Sequence, residues 1–257
     1  MSMKLAVPTN SLYTPLVANA QRVCDDRGWT LIRASEDECA SLMLRNMVDA
    51  ALLTPYGYGV AVSKVDYRIV PAPMMMAHDY TNIAGVWFRE HCHDVRTIAS
   101  SAPRDFMMMI GSIVLSEKFE IVADLQHTAL PFAEAITSID ALVEWTRDTV
   151  APTLDITEEW SDLVETPLPL AFWVTRMDNE DLDAVQDAFV SMADASASQE
   201  REITEVVPTE GDHFPREGRI SFRWSDDVEE ALFATLQILF FHQHFPELPA
   251  VKILGRD

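Results

Sequence analysis

The first 54 residues alternate short apolar runs with amphipathic stretches, and this alternation most narrows what the chain can fold into. Lys4 to Val7 reads as a strand, after which Asn10-Ser11 opens an apolar periodicity through Tyr13, Leu16, Val17, Ala20 and Val23 that stops at Gly28. Trp29 to Arg33 reads as a second strand. Ser35-Glu36-Asp37-Glu38 follows, a hydroxyl with an acid three residues on that suits a capping box, and Cys39, Leu42, Met43 and Met47 recur behind it on one helical face. Ala50-Ala51-Leu52-Leu53 is continuously apolar, the pattern of a strand covered on both faces, and ends at Thr54-Pro55. The order β-α-β-α-β predicts an open α/β sheet, and such sheets take ligands beyond the carboxyl ends of their strands. Asn10, Ser11 and Thr54 are therefore candidate ligand contacts, while capping of turns and helices accounts for the same residue types.

Farther on, Asp66 to Val70 and Ile83 to Phe88 read as strands flanking Met74-Met75-Met76, and a new unit begins near Arg89. Val95 to Ile98 is its first strand, with Ser100-Ser101-Ala102-Pro103 expected to open the helix Phe106 to Leu115. Free amides and a partial positive charge at a helix start suit a carboxylate, so Ser100 and Ser101 join the candidate set. Ile121 to Ala123 and Ala141 to Trp145 are further apolar runs. Arg147-Asp148 reads two ways, as a guanidinium that holds a carboxylate bidentately or as a surface ion pair. Leu170 to Val174 would return the chain to the first unit, followed by a helix from Asp178 with Leu182, Val185, Phe189 and Met192 on one face. Ile203 to Val207 and Arg219 to Arg223 read as strands around a turn-rich loop, and Asp226 with Glu229 caps a last helix. The expectation is two α/β lobes, the larger from residues 1–88 and 175–257 and the smaller from 89–174.

Composition removes several classes of function. A formal charge of −22 repels nucleic acid and anionic membrane surfaces. No run of about 18 uncharged apolar residues occurs, and the N-terminus enters a strand pattern without a signal-type apolar region, so no membrane insertion and a cytoplasmic location are expected. Only four lysines accompany the acid excess, which hints at adaptation to salt. Cys24, Cys39 and Cys92 are odd in number and lack paired spacing, which argues for reduced packing residues. The chain has no G-x-S-x-G, P-loop or G-x-G-x-x-G. His91-Cys92-His93 and His242-Gln243-His244 raise the question of a metal, but residues two apart diverge on a helix and no third ligand is near in sequence, so no metal is expected. The methionine triplets 74–76 and 107–109, like Trp160 and Trp173, suit core packing better than a ligand surface.

One stretch carries a family resemblance. Leu154-Asp155-Ile156-Thr157-Glu158-Glu159-Trp160, followed by Leu168-Pro169-Leu170-Ala171-Phe172-Trp173-Val174, resembles the "D-L-x-x-E-W … L-P-F-V-F-A-x-W" signature of the menaquinone-biosynthesis family that includes chorismate dehydratase and 1,4-dihydroxy-6-naphthoate synthase. Pro8 to Leu16 is similar to that family's "Y-L-N-S-x-P-L" run, retaining Asn10 and Ser11, and Asp49 to Tyr58 to its "D-V-G-L-V-P-x-x-E-Y" segment at the ligand cleft. The resemblance implies a two-lobed fold like type II periplasmic binding proteins with a ligand cleft between lobes. It also implies a lyase acting on a carboxylated cyclic metabolite such as chorismate, with Asn10 as the catalytic orienting group, Ser11, Thr54, Ser100, Ser101 and Arg147 as substrate contacts, and no metal or organic cofactor.

Three departures set this chain apart from the pattern. Ile83-Ala84-Gly85-Val86 stands at the family's "V-x-S-V", placing Gly85 where a serine reaches substrate; Ser100-Ser101, with Arg104 nearby, is what remains of "D-T-S-S-x-T-S"; and Thr146-Arg147-Asp148 lacks the histidine of the naphthoate synthase branch. A small-carboxylate-binding protein that kept the clamp without the chemistry is the competing expectation.

Overall fold

The computed structural model describes residues 2–62, 64–147, 150–177, 181–206, 214–225 and 227–256. The chain begins β1 (Lys4–Pro8), a 3-10 turn (Ser11–Tyr13), α1 (Thr14–Val17), α2 (Ala20–Arg27), β2 (Thr30–Ala34), α3 (Glu36–Leu44), β3 (Ala50–Leu53), α4 (Pro55–Val62) and β4 (Tyr67–Ile69). It continues with β5 (Met75–Asp79), β6 (Ala84–Phe88), β7 (Ile98–Ser100), α5 (Phe106–Phe119), β8 (Leu125–His127), α6 (Phe132–Ser138), β9 (Ala141–Trp145), β10 (Leu154–Asp155) and α7 (Ile156–Val164). Then come β11 (Leu168–Arg176), α8 (Leu182–Met192), β12 (Arg201–Thr204), β13 (Glu217–Ser221) and α9 (Asp227–Phe241). The expected caps Asp178 and Asp226 lie outside the described residues; Asp181 caps α8, its Oδ1 accepting from the Ala184 N–H at 2.9 Å.

Two compact units emerge. Unit 1 comprises residues 1–76, 169–200 and 221–257, and unit 2 residues 77–168 and 201–220. These bounds differ from 88/89 and 174/175. Strand β6 belongs to unit 2 because it pairs with β9 over five residues and with β10 on its other side. Met75 and Met76, expected in a segment between strands, begin β5 and are buried.

In unit 1, β2 and β3 flank β1 in parallel, and β11 pairs antiparallel with β3 from Phe172↔Leu53 to Thr175↔Ala50. Every residue of β3 is buried, as are Leu170 to Val174 of β11. Burying one such aliphatic side chain contributes about 1.5–3 kcal/mol, so helices must cover both faces of these central strands. Trp173 meets α8 by stacking on Phe189, ring centroids 4.4 Å apart and planes within 9°. Ser35 caps α3 by accepting from the Glu38 N–H at 3.2 Å, and three acids occupy that helix's first turn, where the macrodipole favours them. In helix α4 the Phe245 ring stands where a β-carbon on Gly59 would be, 2.4 Å away at its nearest atom, while Gly57 leaves a tighter-than-usual 3.2 Å to Ala40 Cβ. Cys39 is buried, and burial pushes its thiol up to about 12, consistent with packing.

In unit 2, β8, β7 and β9 run parallel, β6 is antiparallel to β9, and β10 is antiparallel to β6. Helix α5 packs against α7, with Gly111 admitting Val143 and Ile156. Buried Asp155 anchors the start of α7, accepting from the Thr157 and Glu158 amides, and also takes the Asn82 N–H at 2.8 Å. Hairpin β12-β13 is tied down by Arg216, which pairs with Glu205 (2.6 Å) and Glu158 (3.2 Å) over the Tyr80 ring. No helix among the described residues is long and apolar enough to cross a membrane.

Candidate functional site

In unit 1 the candidate residues share one edge. Parallel pairing of β1 with β3 puts the chain beyond Pro8 and beyond Leu53 at the same end of the sheet. Asn10 is half-buried, and its Oδ1 accepts from the Leu12 N–H at 3.0 Å, which caps the 3-10 turn leading into α1. Its amide nitrogen has no hydrogen bond among the described residues. Ser11 is exposed. Thr54 is buried, and its Oγ1 accepts from the Gly57 N–H at 3.2 Å at the start of α4. Capping and location at a strand end are thus both true of Asn10 and Thr54, since a chain leaving a strand for a helix must satisfy the first free amides.

Unit 2 assembles its candidates at the carboxyl edge of β8-β7-β9. Ser100 ends β7, Thr128 follows β8, and Glu144, Trp145 and Arg147 end or follow β9. The Thr128 N–H donates to the Ser100 carbonyl at 2.9 Å, closing this edge. Ser100 and Ser101 do not open the helix as expected. Four residues of turn intervene, with the Asp105 N–H donating to the Ala102 carbonyl, and α5 starts at Phe106 behind Asp105.

The serines face an internal carboxylate. Glu144 Oε1 accepts the Ser101 N–H and, at 3.4 Å, the Ser100 hydroxyl; its Oε2 accepts the Ser101 hydroxyl at 2.9 Å. Glu144 is buried. Asp105 stands nearby and accepts from the Trp145 indole N–H at 3.1 Å. Burial pushes the Asp105 carboxyl above its usual range, the Trp145 N–H opposes the rise and Glu144 adds to it.

Arg147 is exposed, with its guanidinium carbon 5.2 Å from the centre of the Phe132 ring, in cation–π range. Phe132 in turn meets Trp87 edge-on. Ser101, Thr128, Phe132, Leu142, Glu144 and Arg147 line one pocket of about 10 Å³, the room of a single water. The structure therefore brings Ser101 and Arg147 to one pocket with Ser100 directly behind it, and Asn10, Ser11 and Thr54 to one edge of unit 1. Asp148 lies outside the described residues.

Gly85 has a packing reason. A β-carbon there would stand 2.3 Å from Pro152 Cβ and 3.0 Å from the Leu154 carbonyl oxygen, so the segment entering β10 occupies the space a serine would need. His91 lies in a turn rather than a strand, and both His91 and His93 are exposed. His244 packs edge-on against Tyr56, where burial and then His242 lower its pKa. No group of three or more His, Cys, Asp or Glu suited to a metal occurs among the described residues.

Sequence reasoning passed over Glu144, Asp105 and Thr128. The signal for Glu144 was an acid in the otherwise apolar run Ala141-Leu142-Val143-Glu144-Trp145. A second polar pocket in unit 2, lined by His78, Asp79, Ser161, Glu165, Thr166 and Arg219, was also unforeseen.

At the level of sequence, no family model and no curated protein matches this chain. By structure it is similar to protein AF1704 from Archaeoglobus fulgidus, with a TM-score of 0.60 and 12% identity over 95% of this chain and 98% of that one. It is also similar to an ABC transporter structure from Parabacteroides distasonis, with a TM-score of 0.61 and 10% identity over 100% and 99%. A weaker likeness, TM-score 0.40 and 15% identity over 73% and 67%, is to the Candida albicans CA3427 gene product, whose family is said to exhibit the generic periplasmic binding protein fold. At such identities the likeness is one of fold. The protein has a two-unit α/β fold that it shares with the Archaeoglobus and Parabacteroides structures.

Proposed function

We propose that the protein binds a small carboxylated metabolite in the cytoplasm and releases it unchanged, with Arg147 receiving the carboxylate. The observation behind this reading is the exposed Arg147 guanidinium, set over Phe132 at the mouth of a pocket of about 10 Å³ that Ser101 and Thr128 also line, at the carboxyl edge of the parallel strands β8, β7 and β9. Ligands of open α/β sheets bind at that edge, and a guanidinium matches a carboxylate bidentately. Asn10, Ser11 and Thr54 stand at the corresponding strand ends of unit 1.

Binding without turnover is favoured over lyase chemistry by Gly85. The hydroxyl that reaches substrate in chorismate dehydratase is missing there, and Pro152 occupies its space. The segment from Leu154 to Val174, folded as β10, α7 and the greater part of β11, supports a second reading. In it the protein is a lyase of the chorismate dehydratase type, with Ser100, Ser101 and Arg147 holding carboxylates.

Calorimetry with chorismate and simple aromatic carboxylates tests the proposal. The unaltered protein should bind at least one of them, and Arg147→Ala should weaken that binding by about 1.5–3 kcal/mol, the range for a hydrogen bond to a charged group. A protein that binds none of these carboxylates sinks the reading. Consumption of chorismate would move the conclusion to the lyase.

A further inference from the structure

The second polar pocket of unit 2 carries opposite charges on its walls. It measures about 310 Å³, within the range of about 300–1,000 Å³ that small-molecule sites occupy, and every residue lining it belongs to unit 2. One wall is anionic. Helix α7 ends there at Glu165, so the negative pole of the helix, a position that favours cations, carries an acid and has no basic residue in its last turn. Asp79 joins it. The Asp79 N–H donates to the Ser161 hydroxyl oxygen at 3.0 Å and its carbonyl accepts from the Thr157 hydroxyl at 2.7 Å, which fixes Asp79 against α7. Neither carboxylate makes a hydrogen bond or ion pair among the described residues. Arg219 of β13 supplies the opposite charge, brought to the pocket by the close packing of Gly218 on the His78 and Tyr80 backbone. Thr166 also lines the pocket, and its buried hydroxyl oxygen has no hydrogen-bond partner among the described residues.

We propose that this pocket binds a small α-amino acid as its zwitterion, with the carboxylate on Arg219 and the ammonium at the Asp79 and Glu165 carboxylates. Two negative charges beside a helix C-terminus repel one another, and a bound cation relieves the repulsion. The guanidinium in the same pocket opposes a simple cation and accepts a carboxylate bidentately. A net charge of −22 holds off a simple anion, whereas a ligand of zero net charge is not repelled. Only a zwitterion answers both walls. Buried hydroxyls are ordinarily hydrogen-bonded, and a polar ligand supplies the partner that Thr166 lacks. This site shares no lining residue with the pocket at Arg147 and does not depend on what binds there.

L-Alanine and ethylamine serve as probes, differing by the carboxylate. Calorimetry should show the unaltered protein binding L-alanine at least about tenfold more tightly than ethylamine, the advantage expected of a hydrogen bond to a charged group. Arg219→Gln should weaken L-alanine by about tenfold and leave ethylamine no weaker, so that the advantage disappears. Glu165→Gln, which keeps the shape and removes one negative charge, should weaken both ligands by about fivefold, the upper range for an exposed ion pair. A protein that does not bind L-alanine overturns the proposal, as does a ratio that Arg219→Gln leaves unchanged or an L-alanine affinity that Glu165→Gln does not move. Should Arg219→Gln fail to fold, Glu165→Gln decides alone, because the Glu165 side chain is exposed and holds no other group in place.

Discussion

Gly218 of β13 lies against the Tyr80 peptide so closely that a β-carbon on the glycine would stand 2.3 Å from the Tyr80 carbonyl oxygen and 2.6 Å from its nitrogen. The His78 carbonyl oxygen would be 2.4 Å away. All three atoms belong to the backbone and cannot rotate aside. Gly218→Ala should therefore destabilise the protein by about 1–3 kcal/mol, as overpacking does, even though alanine lowers the entropy of the unfolded chain. A urea melt measures the loss, and faster proteolysis within hairpin β12-β13 would locate it.

Gly85→Ser, which puts back the hydroxyl of the family pattern, should lower stability by a similar 1–3 kcal/mol without conferring activity on chorismate. Proline and a strand carbonyl surround the site, so the new side chain meets atoms with little freedom to yield. A melt and a chorismate assay on the same sample check both halves of the expectation, and a stable, active variant would contradict the packing argument.

Trp160 is fully buried in α7, and its indole N–H has no hydrogen-bond partner among the described residues. Only packing is at stake. Trp160→Ala should lose about 3–5 kcal/mol, whereas Trp160→Phe, which keeps a ring and sacrifices no hydrogen bond, should lose well under half of that. Comparable losses in the two variants would mean that the N–H is bonded after all.

Asp140 gives the acid limb of stability. The Arg89 guanidinium at 2.6 Å, then the Arg96 amide and the Thr97 hydroxyl, hold its carboxyl far below the ordinary 3.8. A carboxyl depressed on folding contributes stability that is present above its unfolded value and is lost as pH falls through its folded value. The melting temperature of Asp140→Asn should thus lie below that of the unaltered protein by a constant gap above about pH 5, and the gap should close on acidification. A gap independent of pH would show that the carboxylate charge is not what matters.

What the sequence disclosed and what it hid divide along physical lines. The βαβαβ start was legible because β3 and all of β1 after Lys4 are apolar and the intervening helices carry their own signals, Gly28 in left-handed conformation ending α2 and Ser35 capping α3. Helix α4 was missed because Gly57 and Gly59 read as breakers, and their tertiary contacts lie with Ala40 and Phe245, distant in sequence. Strand β5 was hidden for the opposite reason, since buried methionines carry no strand period. At the candidate site, strand ends could be placed from pattern and so Ser100, Ser101, Thr54 and Asn10 could be named. That Glu144 would accept from both serines depends on the register of β7 against β9, with Ala99 opposite Leu142, which no local signal encodes.

The four chain crossings between units, at residues 76/77, 168/169, 200/201 and 220/221, bear on how the protein is made. On the ribosome β1, β2 and β3 emerge early, yet the strand that covers the free side of β3 is β11, which begins at Leu168. At ribosomal speeds of about 5–20 residues per second, that apolar edge stays bare for roughly 5–25 s, and unit 2 waits longer still for its hairpin. A bare strand edge is a template for pairing with another chain. The nascent protein thus passes through a window in which the edge of β3 is open to pairing with another chain, and neither unit can be produced as an uninterrupted piece of the gene.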